Sequence, residues 1–293
     1  MSKVGPEQLP SGDESKTREF EKKPSLLRLF VVRHGRSKYL ERDSVKRKGE
    51  WNPDINDLTP QGEKEVLESA EDIAREIDPQ KNIVVFLSSP RARALRTKEI
   101  IENHLKGRGV EIYNGGDPVV DMLRSGGDDS PTTGEGNMVK FSDKRGFLNY
   151  DIDNEGEEIT TGARFKKFLS FFNAIDSDKL LESINRPGNK FHGKMPVFIS
   201  ITHREVLHSY DREDNKTSFL GEAFPEDPSM RISRGQWMKL DFNLEHPGNL
   251  SVTTPSGVDS SHRKETRELH FDEASGEITT VKAGDTTSRT KSH

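Results

Sequence analysis

Three short, almost continuous apolar runs rich in β-branched residues stand out along the chain, at 26–32 (LLRLFVV), 83–87 (IVVFL) and 197–202 (VFISIT). Continuity rather than strict alternation predicts strands buried on both faces of a parallel sheet. Between them the apolar period changes to that of helices. Thr59 is a suitable N-cap and Pro60 fits the first helical position, where its missing N–H costs nothing. Val66, Leu67, Ala70, Ile73, Ala74 and Ile77 then recur with charges between them, one apolar stripe facing a sheet. Ser89 and Pro90 repeat the start signal for a helix carrying Ala94, Ile101 and Leu105. A third helix is predicted from about Thr161, with Phe165, Phe168, Leu169, Phe172 and Ile175 on its buried side, and a last strand lies within 234–242 (RGQWMKLDF), where Trp237 is expected to pack rather than bind. Strands alternating with helices predict an α/β fold, a three-layer α/β/α arrangement with a mostly parallel central sheet.

The residues just past each strand supply the candidate chemistry. The first run ends in Arg33, His34 and Gly35; the second leads through Ser88, Ser89 and Pro90 to Arg91, Arg93 and Arg96; the third leads to His203 and Arg204. Ligands of open α/β sheets collect at the carboxyl ends of the strands. Two imidazoles and several guanidiniums therefore meet on one edge, a composition suited to a phosphate, whose oxygens a guanidinium fork can bind in pairs.

Composition narrows the picture. Of 293 residues only 30% are hydrophobic and 32% are charged, and the apolar periodicity is concentrated between 25 and 245, which predicts one domain there. Residues 1–24 mix charge with Gly, Pro and Ser and read as a disordered segment. Residues 246–293 read as a polar tail, in which the weak alternation of 267–281 around Ser275 and Gly276 allows a short hairpin. No stretch has the apolar core of a signal peptide or the length of a membrane span. Cysteine is absent, so disulfides are excluded and the cytoplasm is the expected compartment. A formal net charge of −5 argues against nonspecific nucleic-acid binding, which needs a basic stripe. There is no HExxH and no EF-hand carboxylate set, so no metal is expected.

Four blocks occur in a telling order: RHG at 33–35 with Ser37 after it, LTPQG at 58–62, SSPRARALRT at 88–97 and THREVL at 202–207. In this the chain resembles the histidine phosphatase superfamily, in its phosphoglycerate mutase-like branch, over roughly residues 25–245. The resemblance implies that His34 is the nucleophile and carries a phosphohistidine, and that Arg33, Arg93 and His203 surround the phosphoryl group, with Arg36 beside them. His203 also counts among the catalytic residues. A histidine is one of the side chains able to form such a covalent intermediate. Charge on the equatorial oxygens would be neutralised by guanidiniums, with no metal and no cofactor.

The pattern also departs from the family. Ser125 stands where a glutamate is expected to protonate the leaving oxygen; Asp128, with Asp129 next to it, is the nearest substitute and the candidate general acid. Leu40 replaces an asparagine of mutase-like members and Arg204 a glycine. These departures favour a metal-independent phosphatase over a phosphomutase, and keep a phosphate-binding pseudoenzyme as the alternative, since a general acid is worth about 10² to 10⁴ in rate. Lys38, Arg91, Arg96 and Arg204 either line the mouth of the site or are ordinary surface charges. The expected partner is a phosphorylated small molecule or a phosphoprotein, with no nucleic acid and no membrane; nothing in the sequence specifies an oligomeric state.

Overall fold

The computed structural model describes residues 23–37, 58–89, 91–113, 123, 161–188, 191–207, 218–226, 231–254, 265–272 and 274–281. The expected disorder of 1–24 falls almost wholly outside them. Their centre is a sheet with strand order β3-β2-β4-β1-β5-β6-β7-β8. Its strands are β1 (Leu26–Arg33), β2 (Asn82–Ser88), β3 (Glu111–Ile112), β4 (Met195–Thr202), β5 (Trp237–Asn243), β6 (Asn249–Thr254), β7 (Glu265–Phe271) and β8 (Ile278–Thr280).

The three apolar runs form β1, β2 and β4, which lie side by side and parallel, with β4 in the middle. Helices α1 (Pro60–Arg75) and α2 (Ala92–Gly107) cover one face: Val66, Ala70 and Ile73 of α1 and Ala94, Ile101 and Leu105 of α2 pack with Phe30, Val32, Phe86 and Ile199. Helices α3 (Thr161–Asn173) and α4 (Ser177–Asn185) cover the other, where Phe165, Phe168, Phe172 and Leu180 meet Leu29, Val31, Val85 and Phe198. Phe172 stands edge-on to Phe198 with centroids 5.1 Å apart, an orientation favoured by the ring quadrupoles. With both faces covered, each parallel strand has little use for a polar residue, which is why the runs are continuous. Arg28, the exception within β1, bonds Asp241 of β5 at 2.8 Å and the carbonyl of Glu76 at the end of α1.

The sheet is mixed. It is parallel from β3 to β1 and antiparallel from β5 outward, so the parallel part ends at β1 and does not extend through the whole sheet. Pairing also continues past residue 245, the expected end of the domain: β6 pairs with β5, β7 with β6, and β7 and β8 form a hairpin. Leu250, Val252, Leu269, Phe271 and Ile278 of these strands belong to the same core as α3. In β7 only alternate residues near the C-terminal end are buried, which is why this segment looks polar in sequence. Two short helices, α5 (Arg204–Leu207) and α6 (Phe219–Ala223), complete that layer.

The helix start signals fare differently. Thr59 caps α1, accepting the Gly62 N–H at 3.0 Å, with Pro60 in the first turn. At α2, by contrast, the N-cap is Arg91 and no side chain caps it; Ser89 lies two residues upstream and its hydroxyl is engaged elsewhere. Trp237 packs edge-on against Phe30, centroids 5.5 Å apart. No described helix is long and apolar enough to cross a membrane.

Candidate active site

Strand register brings the candidate residues together. Arg33 is level with Thr202 across β1 and β4, so the next residues, His34 and His203, emerge side by side; Ser88 is level with Ile201 across β2 and β4. The backbone bonds continue beyond the strands, with His34 N–H on the Thr202 carbonyl at 3.1 Å and Ser89 N–H on the Ile201 carbonyl at 3.0 Å. As a result the rings of His34 and His203 lie 4.9 Å apart.

The loop after β1 is held from two sides, by the LTPQG block at the start of α1 and by α2. Gly35 and Gly62 face each other so closely that a Cβ on Gly35 would stand 2.5 Å from the Gly62 carbonyl oxygen, and one on Gly62 would stand 2.1 Å from that of Arg36. Only glycine allows the first turn of α1 to press on the loop that carries His34. From the other side Thr97 of α2 accepts the Gly35 N–H at 3.3 Å and donates to the Arg93 carbonyl at 2.8 Å. This fixes α2, and Arg93 with it, against the same loop.

The partners of His34 set its tautomer. Nδ1 lies 2.7 Å from the Gly35 carbonyl, which can only accept, so Nδ1 carries the proton and Nε2 the lone pair. In agreement, the Arg93 Nε–H donates to His34 Nε2 at 3.1 Å and reaches His203 Nδ1 at 3.3 Å. One guanidinium therefore addresses both imidazoles. His203 is fully buried, and its Nε2 lies 2.8 Å from the hydroxyl of Ser89, which is fully buried as well.

Both imidazoles are held well below their ordinary value of 6.5. For His34 burial is the main cause, followed by the Arg93 charge; Arg33 and Arg234 act in the same direction, while the bond to the Gly35 carbonyl opposes them. For His203 burial again leads, followed by the His34 ring and the charges of Arg93, Arg91 and Arg33. The rings are thus neutral near pH 7, and a neutral His34 with a free pair at Nε2 is what nucleophilic attack requires.

Of the residues singled out in the sequence, the structure brings together His34, His203, Arg33 and Arg93, and Arg91 lies buried beside them. Arg33 donates to the Ile232 carbonyl at 2.9 Å. Arg36 turns to Glu65, at 3.5 Å, and is about half exposed. Arg96 bonds Glu63 of α1 and Glu99, a link between the two helices. Asp128, Asp129, Ser125, Leu40 and Lys38 lie outside the described residues. Two participants were not foreseen. Ser89 reads in sequence as a helix start, and its place at the end of the second apolar run was the available signal. Arg234 comes from the segment before β5, where the Gly235 N–H donates to the carbonyls of Arg33 and His34 at 3.0 and 3.1 Å; no local motif marks it.

Residues 29–114 match the family model described as the histidine phosphatase superfamily (branch 1). No curated protein matches the chain. Among solved structures, the chain is similar to phosphoglycerate mutase from Bacillus anthracis, at 14% identity over 82% of this chain and 96% of that one, TM-score 0.40. It is likewise similar to a protein described as mycobacterial hydrolase 1, at 16% identity over 75% and 94%, TM-score 0.39. A third is mycobacterial glucosyl-3-phosphoglycerate phosphatase complexed with VO3, at 15% identity over 73% and 92%, TM-score 0.34. Likeness of this degree carries no activity over to the chain.

Proposed function

From the match of residues 29–114 to the histidine phosphatase superfamily (branch 1), we propose that the chain is a member of it and hydrolyses a phosphomonoester, without a metal, through a phosphohistidine on His34. The observation that carries this reading is the pair of facing rings addressed by Arg93, with the lone pair of His34 at Nε2. For attack, the Arg93 Nε–H leaves that lone pair and turns to the phosphoryl oxygens. His34 Nε2 then forms a bond to phosphorus as the bond to the ester oxygen breaks, and the departing oxygen takes a proton from a general acid, the role proposed for Asp128. Water attacks the phosphohistidine next and gives a proton back to the same carboxylate, the N–P bond breaks with its electron pair returning to Nε2, and phosphate leaves.

The charge that moves onto the phosphoryl oxygens would be met by Arg33, Arg93 and His203. Arg33, tied to the Ile232 carbonyl, and His203, tied to Ser89, are held in place before the reaction, while Arg93 turns to the oxygens from the imidazoles it already touches. The substrate class is a phosphorylated small molecule or a phosphoprotein. Incubation in EDTA with p-nitrophenyl phosphate and a panel of sugar and nucleotide phosphates tests the reading. Turnover that survives chelation and disappears in His34→Ala supports it; phosphate binding with no turnover on any member supports the pseudoenzyme instead.

A further inference from the structure

We infer that Ser89 is a positioning residue for His203: its hydroxyl oxygen holds the Nε2–H of the ring, so that Nδ1 is the one atom at which His203 takes up and returns a proton. This assigns a function to a side chain within the site of the phosphatase reading, and its value for turnover rests on that reading.

Arg93 sets the polarity of the contact. A guanidinium donates and never accepts, so its Nε–H at 3.3 Å requires a lone pair on His203 Nδ1. A neutral ring then bears its single proton on Nε2, and that N–H points at Ser89 Oγ, 2.8 Å away, which must accept. The opposite tautomer would set an N–H of the ring against an N–H of Arg93. The bond one ring nitrogen makes decides the state of the other, and here both bonds agree.

Ser89 is built to hold that position. It is fully buried, and its own N–H is tied to the Ile201 carbonyl near the end of β4, the strand that delivers His203. The hydroxyl and the ring it addresses are therefore fixed to the same strand end. Helix capping does not account for the hydroxyl, since α2 begins after Arg91 with no side-chain cap and the Arg91 N–H stands a long 3.4 Å from Ser89 Oγ. The chemical consequence is directional. A proton gained by His203 goes to Nδ1, the nitrogen that shares Arg93 with His34 Nε2, while the Nε2–H bond to Ser89 persists in both charge states. A singly protonated phosphate group placed between the rings gives its proton to Nδ1, the imidazolium so formed holds the resulting dianion through Nδ1–H, and the proton goes back to the phosphate as it leaves.

Long-range ¹⁵N correlation spectra of the ligand-free full chain read the tautomer without any need for turnover. The wild type is expected to show the Nε2–H form for His203, and Ser89→Ala a mixture of both neutral forms. With p-nitrophenyl phosphate, Ser89→Ala should lower kcat about 10- to 100-fold, as removal of a partner that orients a functional histidine does, with KM little changed and the acid limb of the pH profile displaced. Ser89→Thr, which keeps the hydroxyl, should restore the tautomer and most of kcat. The inference is overturned by an Nδ1–H tautomer in the wild type, or by a Ser89→Ala protein that keeps the pure Nε2–H form and the wild-type pH profile. A wild type that turns over nothing yet shows the Nε2–H form contradicts the phosphatase reading and leaves the positioning assignment standing. Should Ser89→Ala not fold, the wild-type spectrum and Ser89→Thr decide.

Discussion

Arg93 donates from one N–H to the facing nitrogens of His34 and His203, at 3.1 and 3.3 Å. The charge that would receive a phosphoryl group thus also holds both imidazoles neutral, second only to burial at His34. Binding and nucleophilicity are coupled through this side chain. Arg93→Ala should lower kcat by about 10² to 10³, the usual cost of removing one fixed donor from a charge-stabilising site. It should also move the acid limb of kcat/KM to higher pH, because a cation beside His34 has gone. Lysine cannot reproduce the planar fork, so Arg93→Lys should recover little kcat. Arg234→Ala should shift the acid limb in the same direction by less, since its charge ranks behind those of Arg93 and Arg33. Steady-state kinetics across pH check all three.

Stability should fall on acidification. Both buried rings have lowered folded-state values, while in the unfolded chain they titrate near the ordinary value of about 6.5. Below that value the unfolded state binds protons that the folded state refuses, so stability rises with pH. The contribution is complete above about pH 6.5 and is lost as pH falls from there through the folded values. Thermal melts over this range should show a Tm that drops more steeply for the wild type than for a His34→Asn, His203→Asn double variant. Equal slopes would contradict the assignment.

Much of this was legible in the sequence, for identifiable reasons. Leu29, Val85 and Ile199 announce strands because both faces of the parallel half are covered, and Thr59 with Pro60 announces α1 because capping is a local matter. The two histidines could be placed on one edge of the sheet, but their 4.9 Å separation depends on the register of Arg33 against Thr202, which no local pattern specifies. Ser89 carries a capping signal and is used for a contact 114 residues away. The weak alternation around Ser275 and Gly276 allowed the β7–β8 hairpin, but β6 and the entry of these strands into the core were hidden, because Leu269 and Phe271 alternate with exposed neighbours and short alternation on one buried face resembles a polar tail.

Gly62→Ala should be costly although the residue is remote from the chemistry. The new Cβ would meet the backbone of Arg36, at 2.1 Å from its carbonyl oxygen, and backbone cannot rotate aside as a side chain can. Overpacking of this kind typically costs about 1–3 kcal/mol. Thermal unfolding should show the loss, and kcat should fall with it because the displaced loop carries His34.

Removing the chain beyond residue 245 should destabilise what remains. Leu250, Val252, Leu269 and Phe271 are buried in the core that α3 also enters, and a fully buried side chain of this size is worth about 1.5–3 kcal/mol. Truncation would leave the outer edge of β5 open and Leu240 and Phe242 less covered. A lower Tm and poorer solubility of the 1–245 fragment are expected; an unchanged Tm would show that these strands are an independent appendage.

Covalent catalysis by His34 is decided by trapping the intermediate. The protein is mixed with a phosphorylated substrate that it turns over, quenched in alkali, in which phosphohistidine persists, and mapped by peptide mass spectrometry. An acid-labile phosphoryl group on His34, absent from His34→Ala, is the expected result. Turnover with no label on His34, or with the label on another residue, would contradict it.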